Sequence, residues 1–136
     1  MSGGSAIDTL VTGLIDEQDL APIQESLAES GVLLAPASDV EEAAGKSATV
    51  VLLDADCYPW REAVTQIRNL KPWVRVILVT RYVDARMWVE ALNGGAYDLV
   101  SKPFHARELR SVVLGALDAR AKMPSSRTPV NMALSS

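Results

Sequence analysis

The chain has 136 residues, of which 49% are apolar and 22% charged, and its formal net charge is −4. This balance indicates one globular domain whose core forms without disulfides, since Cys57 is the only cysteine. It excludes a two-domain enzyme, a cysteine-rich zinc site and, because no apolar run approaches about 18 residues, a membrane span. We expect a cytoplasmic protein, and its overall acidity argues against direct binding of nucleic acid.

The charge is divided unevenly along the chain. Residues 1–60 carry eleven acids against one base, whereas residues 61–136 carry twelve bases against six acids. This division is compatible with an electronegative site opposite a basic surface, and equally with ordinary surface decoration.

Short aliphatic runs rich in Val, Ile and Leu recur along the chain. Their length and continuous apolar character predict buried strands. In chain order the runs cover residues 9–15, 32–35, 49–53 and 74–79, with a weaker run at 97–101.

Stretches of helical periodicity, bounded by capping and stop signals, separate these runs. The first predicted helix ends near Gly31, and Ser38 with Glu41 predicts the capping box of a second helix over residues 39–44. A third helix follows the third strand, a fourth spans residues 84–93 before two glycines, and a fifth follows the last strand.

Five strand–helix units imply right-handed crossovers, so we predict an α/β fold whose parallel sheet is covered by helices on both faces. We expect a flexible N-terminus over residues 1–6, one domain over 7–121, and a linker or disordered tail over 122–136. In such open sheets the ligand site lies at the carboxyl ends of the strands.

Polar side chains follow the predicted strands at that edge, and these are the candidate site residues: Asp16, Glu17, Asp54, Asp56, Thr80, Arg81 and Lys102. Converging carboxylates repel one another unless a cation joins them, and Mg²⁺ is favoured because it binds oxygen ligands and phosphate. The Thr80 hydroxyl and the Lys102 ammonium suit the oxygens of a phosphoryl group accepted by Asp54. Taken singly, Asp54 also fits a turn former or a helix cap, Thr80 a strand end and Lys102 a solvated surface charge.

Three segments resemble the receiver domain of bacterial two-component response regulators, over about residues 7–120. They are VVLLD at 50–54, VILVT at 76–80 and GAYDLVSKPF at 95–104. The resemblance implies a flavodoxin-like (βα)5 sandwich with strand order 2-1-3-4-5 and a cis Lys102–Pro103 bond. It also implies that Asp54 takes a phosphoryl group in a Mg²⁺-dependent reaction, from a sensor histidine kinase, a phosphotransfer protein or a small phosphodonor.

The resemblance further implies a signalling domain rather than an enzyme, with chemistry limited to self-phosphorylation and self-dephosphorylation. It implies a homodimer formed through the face of the fourth helix, fifth strand and fifth helix. The chain is either a stand-alone receiver or part of a longer regulator with a C-terminal effector domain, and its Pro- and Ser-rich tail favours the second. Trp88 falls where the family often points a side chain towards partners, while Val89 and Leu92 are expected to face the sheet. An exposed Trp88 would be an interface anchor. The alternative is a Trp88 that lies over its own core.

The first departure from the family pattern is the acid pair after the first strand. The pair is either Ile15–Asp16 or Asp16–Glu17, so Asp16 is the stronger metal-ligand candidate and Glu17 the weaker one. The loop after Asp54 also departs, because it lacks the usual Asp-Gly turn. Asp56 stands where the family supplies a backbone carbonyl to the metal, and its side chain adds a charge there.

Two further departures concern the switching residues. Leu99 replaces the aromatic residue that swings inward on activation in the family, and Arg81 replaces a small residue after the hydroxyl. The long Arg81 side chain is expected either to cover the pocket mouth or to remain a solvated loop charge.

Two other functions remain open at this point. The chain can be a phosphorylation-independent pseudo-receiver, a dimerisation or docking module, which would account for Leu99 and the altered loop. It can also be a flavodoxin-type cofactor binder, although the acids after the first strand would repel phosphate there.

Overall fold

The computed structural model describes residues 10–45 and 49–117. Its strands are β1 (Leu10–Leu14), β2 (Leu33–Pro36), β3 (Val50–Asp54), β4 (Arg75–Thr80) and β5 (Asp98–Ser101). Its helices are α1 (Glu17–Ala28), α2 (Val40–Gly45), α3 (Trp60–Leu70), α4 (Ala85–Asn93) and α5 (Ala106–Leu117).

All strand pairs are parallel and the sheet order is β2-β1-β3-β4-β5, which confirms the predicted fold class and topology. The outer strands are β2 and β5. The predicted N-terminal segment 1–6, the tail 122–136 and the domain boundary at 121 lie outside the described residues and stay predictions. None of the helices described is long and apolar enough to cross a membrane.

The core has two layers, one on each face of the sheet. Val51 and Leu53 of β3 point into the layer under α2, α3 and α4, whereas Val50 and Leu52 point into the layer under α1 and α5. Successive strand residues face opposite sides, so a strand covered on both faces reads as a continuous apolar run. This explains why every residue of β3 is buried.

The predicted capping box of α2 is displaced by one residue. The Glu42 N–H donates to Asp39 Oδ1 at 2.8 Å, and Glu42 Oε1 accepts the Ser38 N–H at 2.7 Å. Asp39 therefore caps the helix in place of Ser38, because its carboxylate reaches the amide three residues on. Glu42 takes the role predicted for Glu41.

The apolar stripe of α4 is rotated relative to the prediction. Trp88 is only 4% exposed and packs in the core with Ala91, whereas Val89 is 49% exposed. The expectation that Val89 faces the sheet is wrong, and so is the exposed interface anchor at Trp88. Asp84 fixes the helix start by accepting the Met87 N–H, and in that phase the large Trp88 side chain faces the sheet.

Two turns after helices take the conformation for which glycine is suited. Gly31 follows α1 with φ +76° and Gly95 follows α4 with φ +105°, a region that side chains with a Cβ disfavour. The Trp60 ring, at the start of α3, lies against Gly94: a Cβ built on that glycine would stand 2.9 Å from Trp60 Cζ3. The turn after α4 therefore packs directly on α3.

Candidate functional site

The carboxylate of Asp54 lies at the carboxyl end of the central strand β3 and is fully buried. Its Oδ2 is 2.7 Å from Lys102 Nζ, and its Oδ1 accepts the Asp56 N–H at 2.9 Å. Burying an anion is tolerable only when it is paired and hydrogen-bonded, and both conditions hold here. The Asp54 carboxylate is thereby fixed in one orientation at the edge where the sequence predicts the site.

Lys102 brings its ammonium into this edge from the loop after β5. The Lys102 N–H donates to the Thr80 carbonyl at 3.0 Å, and the bond to Pro103 is cis, as expected. The side chain is 7% exposed. Burial on its own would lower the pKa of Lys102, but the bonds to Asp54 and Asp19 outweigh it and raise that pKa well above its usual range. Lys102 is therefore a permanent cation in this pocket.

Asp19 is a site residue that the sequence reasoning missed. It lies in the first turn of α1, and its Oδ2 is 3.0 Å from Lys102 Nζ. The spacing of the acids could have indicated it: Asp19 follows Asp16 by three residues, and residues three apart lie on the same side of a helix. Lys102 therefore pairs with Asp19 and not with Asp16 or Glu17, the two acids that the sequence singled out.

The predicted metal ligands of α1 have more local roles. Asp16 is the N-cap of α1, and its side chain accepts the Gln18 N–H at 3.4 Å. Glu17 is exposed in the first turn. Burial raises the pKa of the Cys57 thiol, and the negative charges of Asp54 and Asp16 raise it further. The negative charges of Asp54 and Asp16 therefore both act on the Cys57 thiol.

Asp56 is turned towards the end of β4. Its Oδ1 accepts the Thr80 hydroxyl at 2.5 Å, and its Oδ2 accepts the Arg81 N–H at 3.1 Å and lies 3.6 Å from Lys102 Nζ. Burial raises the pKa of Asp56, but the bonds from Thr80 and Arg81 and the nearby positive charges together lower it below its ordinary value. The Asp56 carboxylate is thus ionised and held on several sides.

The two predicted switch residues differ in environment. Leu99 is 1% exposed and packs in the core layer under α4, so it has no polar group to carry outwards. Arg81 is 60% exposed in its side chain, and its Nε lies 3.5 Å from Asp56 Oδ2. The Arg81 side chain is therefore largely in solvent and at the same time in contact with Asp56, so both roles considered for it stay predictions.

The oxygen ligands at this edge fit Mg²⁺ in kind. Among residues 10–45 and 49–117, no three acidic, His or Cys side chains are grouped as a metal centre, so the four predicted ligands do not form a ready cage. The ammonium of Lys102 supplies the positive charge between the carboxylates of Asp19, Asp54 and Asp56. Mg²⁺ in proteins often uses one or two carboxylates and completes its shell with water and phosphate oxygens. Asp54 and Asp16 are carboxylates of that kind.

The chain is similar to signalling proteins over most of its length. The family model for the response regulator receiver domain matches residues 23–114, which begins after the acids of the first loop. Nodulation protein W of Bradyrhizobium diazoefficiens is 35% identical over 69 residues, covering 50% of this chain and 30% of that protein. The C4-dicarboxylate transport transcriptional regulatory protein DctD of Pseudomonas aeruginosa is 36% identical over 67 residues, covering 49% of this chain and 14% of that protein.

Solved structures show the same fold at lower identity. A crystal structure of a response regulator from Thermotoga maritima superposes with a TM-score of 0.71 at 20% identity, covering 79% of this chain and 96% of that one. The similarity to that structure concerns the fold alone. The aligned part is less than a third of the length of either sequence relative.

Proposed function

Because this chain belongs to the receiver domain family of two-component response regulators, we propose that Asp54 is its phosphoryl acceptor. The observation that carries the proposal is the pairing of the fully buried Asp54 carboxylate with Lys102 Nζ at 2.7 Å, at the carboxyl edge of the sheet. Thr80 ends the neighbouring strand β4, and Asp54 pairs in register with Val79, the residue before it. Acceptor, hydroxyl and ammonium therefore occupy one edge.

The reaction is a transfer of a phosphoryl group to one oxygen of the Asp54 carboxylate. The bond from phosphorus to the donor breaks, and its electron pair stays with the donor, either a phosphohistidine nitrogen or the acetate oxygen of acetyl phosphate. A new O–P bond forms to Asp54, giving an acyl phosphate. Lys102 and Thr80 bind the phosphoryl oxygens, which carry the developing charge. The chain is a signalling domain, and any self-phosphorylation or self-dephosphorylation is part of this proposal.

Receiver domains generally bind Mg²⁺ at the phosphorylation site. In this chain Asp54 and Asp16 are the residues we assign to the metal, with Glu17 and Asp56 as weaker candidates. When bound, the ion offsets the negative charge of these carboxylates and of the incoming phosphoryl group.

The partners we propose follow from the family. A sensor histidine kinase or a phosphotransfer protein supplies the phosphoryl group in the cytoplasm. Both sequence relatives are much longer than the aligned part, which supports an effector domain linked to this one. The exposed apolar side chains of Val89 on α4 and Leu114 on α5 support a homodimer through the α4-β5-α5 face.

Intact-protein mass spectrometry tests the assignment of Asp54. The chain is incubated with acetyl phosphate and Mg²⁺, and we expect a mass gain of one phosphoryl group. The gain should be absent in Asp54→Asn and in wild type with EDTA. An equal gain in wild type and Asp54→Asn would place the modification elsewhere and overturn the proposal.

Two observations favour a second candidate function. Asp56 already holds the Thr80 hydroxyl and lies close to Lys102, and Leu99 replaces the mobile aromatic residue. A pseudo-receiver that docks or dimerises without phosphorylation would show no mass gain, and its oligomeric state would not change with Mg²⁺ or phosphodonor. Size-exclusion chromatography with and without both reagents separates the two functions.

A further inference from the structure

The carboxylate of Asp56 engages both groups that the proposed function assigns to the phosphoryl oxygens. Thr80 Oγ1 donates to Asp56 Oδ1 at 2.5 Å, and Lys102 Nζ lies 3.6 Å from Asp56 Oδ2. The Arg81 N–H and guanidinium contact the same Oδ2 at 3.1 and 3.5 Å. The Asp56 side chain is 15% exposed, so these contacts are largely shielded from water.

The donors in this pocket are limited in number. A threonine hydroxyl has one hydrogen to donate, and an ammonium has three. The Thr80 hydrogen is directed to Asp56, and Lys102 Nζ faces Asp54, Asp19 and Asp56 at 2.7, 3.0 and 3.6 Å. A phosphoryl group on Asp54 needs the same donors, so its oxygens compete with the Asp56 carboxylate for them.

We infer that Asp56 is a positioning residue that binds Thr80 and Lys102 in the unphosphorylated chain as phosphoryl oxygens do after transfer. Its carboxylate must release the Thr80 hydroxyl before that hydroxyl can bind the phosphoryl group. The inference rests on the proposed function of Asp54. It predicts that Asp56 slows phosphorylation and keeps Thr80 turned towards the pocket before any phosphoryl group arrives.

A simpler effect of the Asp56 charge has to be separated from this contact. A carboxylate near the pocket repels an anionic phosphodonor whether or not it touches Thr80. The contact between Asp56 and Thr80, in contrast, acts only while residue 80 carries a hydroxyl. A double-mutant cycle between the two positions therefore distinguishes the two explanations.

The experiment measures the initial rate of mass gain with acetyl phosphate and Mg²⁺. We expect Asp56→Ala to react about tenfold faster than wild type, the factor that corresponds to losing one charge-assisted hydrogen bond. Asp56→Asn, which keeps the shape of the side chain, should fall between the two and guards against a folding defect in the alanine variant. In a Thr80→Ala background, Asp56→Ala should accelerate the reaction less than it does beside Thr80, because only the contact with Lys102 remains to be lost.

A matched control removes a carboxylate that does not reach the site. Glu62, in the first turn of α3, is exposed, and Glu62→Gln changes the net charge by the same amount as Asp56→Ala. We expect its rate to stay within about twofold of wild type, because a solvated charge is screened.

The outcomes separate this inference from the proposed function. Equal rates for wild type and both Asp56 variants, with Asp54→Asn unmodified, overturn the role of Asp56 and leave Asp54 as acceptor. An undiminished acceleration in the Thr80→Ala background shows an effect of charge alone and also overturns the role. No mass gain in any variant overturns the assignment of Asp54, and the inference fails with it.

Discussion

Asp19 in the first turn of α1 forms an ion pair with Lys102 in the loop after β5, with Oδ2 and Nζ 3.0 Å apart. The pair joins the first strand–helix unit to the last one at the carboxyl edge of the sheet. Lys102 also pairs with the buried Asp54, so a single ammonium holds acids from two separate segments.

The two partners should differ in their contribution to stability. Asp19→Asn removes one partly exposed ion pair and should lower the free energy of unfolding by about 1 kcal/mol. Lys102→Met leaves the fully buried Asp54 without its cation and should lower it by about 3 kcal/mol. Urea unfolding in EDTA measures both, and a Lys102→Met loss no larger than that of Asp19→Asn would contradict the central role of the lysine.

The free energy of unfolding should fall as the pH drops through the ordinary pKa of an aspartate, about 4, and further below it. The pKa of Asp56 is lowered in the folded chain, so this carboxylate stays ionised at a pH where the unfolded chain has bound the proton. Protons then favour unfolding. Urea midpoints at pH 7 and pH 3.5 should fall further apart in wild type than in Asp56→Asn. Parallel losses in both proteins would refute the lowered pKa of Asp56.

The Cys57 thiol should report the charge of the site. Burial raises its pKa, and the charge of Asp54 raises it further, so little thiolate is present at pH 8. Asp54→Asn removes that charge, and we expect faster reaction with a thiol reagent such as dithionitrobenzoate. Cys57→Ser gives the blank. A rate unchanged by Asp54→Asn would mean that the thiol does not sense the carboxylate.

Two glycine-to-alanine changes should have opposite effects. At Gly94 the added methyl group meets the Trp60 ring at 2.9 Å and the Glu90 carbonyl at 3.2 Å, so Gly94→Ala should destabilise by about 1–3 kcal/mol. At Gly115, within α5, nothing lies within 4 Å, and alanine should stabilise the helix by about 0.5–1 kcal/mol. Thermal unfolding followed by circular dichroism measures both. A neutral Gly94→Ala would show that Trp60 moves freely.

The sequence was sufficient for the fold and for the centre of the site. Buried parallel strands have continuous aliphatic sequences, which predict the sheet. The topology then brings the carboxyl ends of β3, β4 and β5 to one edge, so Asp54, Thr80 and Lys102 could be predicted to lie there. The burial of Trp88 depends on the rotation of α4, and an apolar pattern on a short helix leaves that rotation uncertain by about one residue. The contact of Asp19 and the orientation of Asp56 depend on side-chain directions within a crowded pocket, which spacing does not encode.

Pro36 determines what the outer edge of β2 offers to other chains. The Ala37 N–H donates to the Gly13 carbonyl of β1, and amides alternate in direction along a strand, so those at positions 34 and 36 face outwards. Proline has no N–H, which leaves Leu34 as the one outward amide donor within Leu33–Pro36. A strand added at this edge would find one amide donor where a strand without proline would offer two. The fold is thus protected there against edge-to-edge aggregation, even though Leu33 is exposed.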